Sequence, residues 1–194
     1  MSSFVDVLRR VVLHPADFFA GLPRREGLRN PFLFALICIA IGAVLTAGVD
    51  LIGVQSGFQS YEGLLGPLGL RSQSIAGFVA TIVMFAVIGI LGLLVGAGIY
   101  QVLVRVVVGR GNAGFRATFR VLAYTAVLNL VAWIPILGLL LILYSLFLHV
   151  VGLREVHETT TGRAILVILL LFGLAILVGV LVAIVSVMIL IARS

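Results

Sequence analysis

Lysine is absent from this chain: all thirteen basic residues are arginine, set against seven acids for a formal net charge of +6. Charge of either sign is scarce, at 10% of 194 residues, whereas 62% are hydrophobic and the mean hydropathy is +1.32. A domain with a solvated surface cannot be built from so few charges, so the shortage excludes a soluble fold and identifies an integral membrane protein. The lone cysteine, Cys38, excludes an internal disulfide and carries no information about redox compartment. The arginines fall between long apolar runs, where anionic lipid headgroups are their natural counter-ions, so nucleic acid is not an expected partner. Also missing are an HExxH pair and a GxSG nucleophile, and the stretch 55–74 holds neither a phosphate-binding GKS/GKT loop nor a GxGxxG opening a helix. Their absence leaves no expected cofactor, no metal and no enzymatic activity.

Five apolar segments approach the roughly 20 residues that a helix needs to cross a hydrocarbon core of about 30 Å. They lie at about 32–54, 74–108, 115–132, 136–153 and 164–192. The expected fold is therefore an all-α polytopic membrane protein: a five-helix membrane domain over 32–192, preceded by a juxtamembrane segment over 1–31. The last segment is long enough to tilt or to project beyond the bilayer. No long apolar h-region precedes the first segment, which reads as a retained signal anchor. Eleven arginines lie before segment 1, around the 2–3 connection and around the 4–5 connection; only Arg71 and Arg193 lie on the other side. The bias places the N-terminus in the cytoplasm and, with five spans, the C-terminus outside.

Residues 2–31 put Phe4, Leu8, Val11 and Val12 near one helical face and Asp6, Arg9 and Arg10 near the other. Pro15 stops or restarts that helix. Two readings stand: an amphipathic helix lying on the membrane surface, with Arg9, Arg10, Arg24 and Arg25 on lipid or a partner, or a cap packed on the bundle. The Gly- and Ser-rich stretch 55–74, which holds Pro67, reads as an irregular connection.

Polar residues inside the apolar runs are the candidate site. At about 100° per residue, Arg116, Arg120 and Tyr124 fall within roughly 80° of one another, with Thr118, Thr125 and Asn129 on the opposite face. Arg116 and Arg120 either snorkel to headgroups or, with Tyr124, line a polar pocket. Asn129 in hydrocarbon seeks an interhelical hydrogen bond. Asp50 lies near the outer end of its segment, where a helix-end role competes with proton relay. Tyr124, Asn129 and Asp50 together form the candidate intramembrane site. Trp133 and Pro135 end the third segment in a tight hairpin, and Gly138 opens the fourth. Gly92 and Gly96 form a GxxxG that packs helices within the bundle or between protomers of a homo-oligomer. Ser145 and His149, at i,i+4, lack a carboxylate to make a hydrolytic set. His157 and its neighbouring Glu residues read as a solvated loop.

The segments "FRATFRVLAYTAVLNLVAWIPILG" and "YSLFLHVVGLREVHETTTGRAIL", led in by "HPADFFAGL" and "NPFLFAL", resemble the Yip1 domain family in a short, prokaryotic-like form. The resemblance covers nearly all the chain and is most specific from Phe119 to Leu166. It implies a five-helix, non-enzymatic membrane protein; eukaryotic relatives act in traffic between endoplasmic reticulum and Golgi and interact with Rab-type GTPases. No Asp-Leu-Tyr-Gly-Pro-like string precedes the first helix, the nearest being "LLGPLG" beyond it, so Rab binding is not carried over. A member in a prokaryotic plasma membrane fits the departures better. Two functions follow: membrane organisation through lipid and an unidentified protein partner, or a small-solute carrier or channel, formed by the chain alone or by a homo-oligomer.

Overall fold

The computed structural model describes residues 3–22, 27–52, 74–109, 111–134 and 137–193, and every regular element among them is helical. In chain order these are α1 (Phe4–Leu13), α2 (Pro15–Ala20), α3 (Arg29–Leu51), α4 (Ile75–Val107), α5 (Phe115–Thr125), a 3-10 segment (Ala126–Leu130), α6 (Gly138–Val156) and α7 (Thr161–Arg193).

Local chemistry sets several of the ends. Ser3 and Asp6 form a reciprocal capping box at the start of α1, each side chain accepting the other's backbone N–H. His14 separates α1 from α2, and Pro15 begins the second helix at the position where its missing N–H costs least. Ser74 caps α4 by accepting the Gly77 N–H at 3.0 Å. Gly109 and Gly114, at φ +87° and +83°, make the backbone reversals between α4 and α5 that an L side chain resists.

Among the described residues, three helices are long and apolar enough to cross a membrane: α3, α4 and the Thr161–Met188 part of α7. They correspond to three of the five expected segments. The expected third helix is divided: after the 11 residues of α5 the chain tightens into a 5-residue 3-10 stretch and then turns. At 1.5 and 2.0 Å per residue the two pieces reach about 26 Å, and the 19 residues of α6 about 28 Å, against a hydrocarbon core of about 30 Å. Asn129, near the end of the 3-10 stretch, lies against Gly42, thirteen residues or about 20 Å along α3. The α5–α6 hairpin is thus shallower than the 33-residue helices α4 and α7 that flank it.

The core gathers at the arginine-rich end. Val11, Phe18 and Phe19 of the N-terminal helices are buried with Phe34, Val121, Tyr124, Val151 and Leu153. Phe4 meets Phe34 at a ring separation of 5.1 Å, and the Tyr144 hydroxyl donates to the Val12 carbonyl. The N-terminal segment is therefore a packed cap on the bundle. Burial in α7 is confined to its first turns, at Ala164, Val167 and Ile168; most later described side chains are exposed and apolar, the surface that acyl chains cover.

Close approach depends on particular glycines, and they are not the GxxxG pair. A Cβ on Gly42 would stand 2.6 Å from the Asn129 carbonyl oxygen, and one on Gly152 would stand 2.6 Å from Val121. One on Gly92 would meet nothing within 4 Å, and one on Gly96 would rest in ordinary contact with Leu122. Gly42 joins α3 to the 3-10 stretch, and Gly152 joins α6 to α5 and Phe19.

Candidate functional site

Between the last turns of α4 and the end of α6 a closed set of hydrogen bonds holds the arginine-rich end together. Gln101 Nε2 donates to Asn112 Oδ1 at 2.9 Å, and that oxygen also accepts the Gly114 N–H. Asn112 Nδ2 donates to the Gly109 carbonyl, which fixes which way its amide faces. The Thr118 hydroxyl donates to Gln101 Oε1 at 2.6 Å. His157 closes the ring: its Nδ1 accepts the Ala113 N–H at 3.1 Å, so the ring proton resides on Nε2, which donates to Thr118 Oγ1 at 3.0 Å. Each of the four side chains both donates and accepts. His157 is 4% exposed, and burial pushes its pKa down to about 4, so the neutral form that this arrangement requires is the one present at neutral pH.

Beside the ring lies a cavity of about 360 Å³, between the cap, the α4–α5 loop and the end of α6. Phe19 and Leu22 form its apolar side; Asn112, Arg120, Glu155 and Glu158 supply the polar side. Arg120 is 3% exposed, although it follows Arg116, which is exposed, by only one turn. Glu158 occupies φ +49°, a conformation that favours glycine. It does so as the residue after the α6 cap: the Thr159 N–H reaches the Arg154 carbonyl at 3.0 Å and the Glu158 N–H that of Glu155 at 3.4 Å, the two bonds of a Schellman ending. A buried cation and two carboxylates around one cavity can hold a polar headgroup or a charged side chain. No residue there forms a nucleophile–base pair among the described residues.

The sequence-selected residues separate into distinct places. Arg9 and Arg10 are exposed on the outer face of α1, while Arg24, Arg25 and Pro135 lie outside the described residues. Tyr124 is buried among aromatics, its ring 4.8 Å from Phe18 and 5.3 Å from Phe34. Asn129 bonds the Ala126 carbonyl at 2.9 Å. Asp50 is half-buried in the last turn of α3. Tyr124, Asn129 and Asp50 therefore do not converge, and the two arginines of α5 divide between surface and cavity. Gly138 is the first residue of α6. His157, read as part of a solvated loop, is buried because the α4–α5 loop folds over it; Gln101 and Asn112 gave no sequence signal, being ordinary loop and helix-end amides. His149 Nδ1 meets the Ser145 carbonyl at 2.7 Å, so the ring faces the backbone rather than the hydroxyl of a hydrolytic pair.

No curated protein and no solved structure matches the chain. A family model described as the Yip1 domain matches residues 9–184, from the first arginine of the cap into the exposed part of α7. With that match extending over cap, hairpin and flanking spans together, the chain belongs to the Yip1 domain family.

Proposed function

We propose that the protein is a non-enzymatic membrane organiser whose arginine-rich end, facing the cytoplasm of a prokaryotic cell, docks anionic lipid headgroups and a protein partner. The α5–α6 hairpin lies in the bilayer with the three longer spans, giving five membrane segments and an extracytoplasmic C-terminus. The observation that carries the reading is the arrangement at one end: Arg9, Arg10, Arg29, Arg105, Arg116 and Arg163 are exposed around a cap that is itself locked into the core. Each arginine near an anionic surface contributes about 1 kcal/mol of attraction, and a fixed cap presents several at once without an ordering cost. The dispersal of Arg120, Tyr124, Asn129 and Asp50 favours this reading over a carrier, which needs them along one path.

The test is extraction of the full chain in native membrane patches without detergent, with mass-spectrometric identification of co-purifying lipids and proteins. Enrichment of anionic lipid and a near-stoichiometric partner, both reduced when Arg9, Arg10 and Arg116 are changed to Gln, is the expected result. The same lipids and proteins with and without those arginines would refute it.

A further inference from the structure

A second cavity, of about 270 Å³, lies at the level where Asn129 meets Gly42, and its wall includes Gly89, near the middle of α4. It is thus deep in the bilayer and open-sided. Its apolar wall includes Leu93 and Leu122, and three polar residues reach it: Thr125, Asn129 and His149. The backbone here is the 3-10 stretch, and non-α backbone at membrane depth is tolerated where it is buried in protein or lines a cavity.

The three polar side chains have spent donors on backbone carbonyls. Thr125 Oγ1 donates to the Val121 carbonyl at 2.8 Å, and Asn129 Nδ2 to that of Ala126. The Ser145 carbonyl can only accept, so His149 Nδ1 carries the proton there, and its neutral ring, stacked on Tyr100 at 5.4 Å, keeps a lone pair on Nε2. What remains toward a ligand is mostly acceptor: imidazole Nε2, the amide Oδ1 and the hydroxyl lone pairs, with the second Asn129 N–H beside them. An acceptor set without a carboxylate, at hydrocarbon depth, suits an uncharged donor attached to an apolar body. We propose that this cavity binds a membrane-dissolved alcohol, its hydroxyl donating to His149 or Asn129 and its hydrocarbon extending sideways into the bilayer.

The experiment uses the full chain in lipid nanodiscs with three photoreactive diazirine probes: a long-chain alcohol, its methyl ether, and a short water-soluble alcohol. One well-made hydrogen bond in hydrocarbon corresponds to a preference of about tenfold, so the long alcohol should label peptides around 87–95 and 119–130 about tenfold more than the ether. Asn129→Leu and His149→Phe should each reduce that ratio toward one. Equal labelling by alcohol and ether in the unchanged chain overturns the proposal without reference to any variant's folding. Labelling by the short alcohol alone overturns entry from the bilayer, and variants that keep the full preference overturn the assignment to these residues.

Discussion

Acidification should loosen the arginine-rich end through one residue. His157 accepts the Ala113 N–H at Nδ1, so protonation there would set a donor against a donor and break the ring of bonds at its closing link. Its folded pKa of about 4 lies below the ordinary histidine value of 6.5. A depressed histidine contributes stability that is fully present above its unfolded pKa and is lost as pH falls from about 6.5 toward 4. At 1.36 kcal/mol per unit the loss is about 2 kcal/mol by pH 5 and about 3 kcal/mol by pH 4. Carboxylates also titrate in that window, so the comparison is with His157→Gln, which cannot gain the proton. The readout is hydrogen exchange of the Ala113 amide in lipid nanodiscs, corrected for its intrinsic pH dependence. Protection in the unchanged chain should fall about thirtyfold between pH 7 and 5 beyond any fall in the variant. Parallel falls in both proteins would refute the reasoning, as would an imidazole nitrogen spectrum showing the proton on Nδ1 at pH 7.

Other outcomes follow from the packing. Thr118→Val removes the donor to Gln101 and the acceptor for His157 together, and should lower stability by about 2–4 kcal/mol in nanodisc unfolding, with a coupling to His157→Gln that a double-mutant cycle detects. Gly42→Ala and Gly152→Ala should each cost about 1–3 kcal/mol by overpacking, whereas Gly92→Ala, in open space, should be neutral or slightly stabilising by the same assay. Glu158→Gly should raise stability by about 0.5–1 kcal/mol by relieving the left-handed backbone, and a fall in melting temperature instead would show that its carboxylate matters more than its conformation. Tyr144→Phe should increase exchange at α1 selectively by releasing its hold on Val12, leaving α4 unchanged.

Much of this was legible because the bilayer constrains composition so strongly. Apolar length alone located helices around residues 32–54, 74–108 and 164–192, since backbone polar groups in hydrocarbon must be satisfied within the segment. The alternation of Phe4, Leu8 and Val11 with Asp6 and Arg10 gave an amphipathic helix but could not say whether its apolar face meets lipid or protein, because both are equally apolar. The Phe4–Phe34 ring contact and the full burial of Val11 decide that for protein.

The interior polar residues were legible as residues and illegible as a site, for a geometric reason. Assigning faces at 100° per residue assumes that the helix continues, and it does not: from Ala126 the chain turns at about 120° per residue, so Asn129 is rotated by roughly 80° from its α-helical position relative to Thr125. No composition signal marks that change, because the sequence from 126 to 130 is, Asn129 apart, as apolar as a helix interior. It is Gly42, on a different helix, that makes room for the Asn129 backbone. The chain turns just after this stretch and leaves the cavity between α4 and α6 with His149 at its wall. The turn of the hairpin and the pocket thus meet at one stretch of chain, and restoring a continuous α-helix through Ala126–Leu130 should swing Asn129 away from the pocket while shortening the stretch by about 2.5 Å.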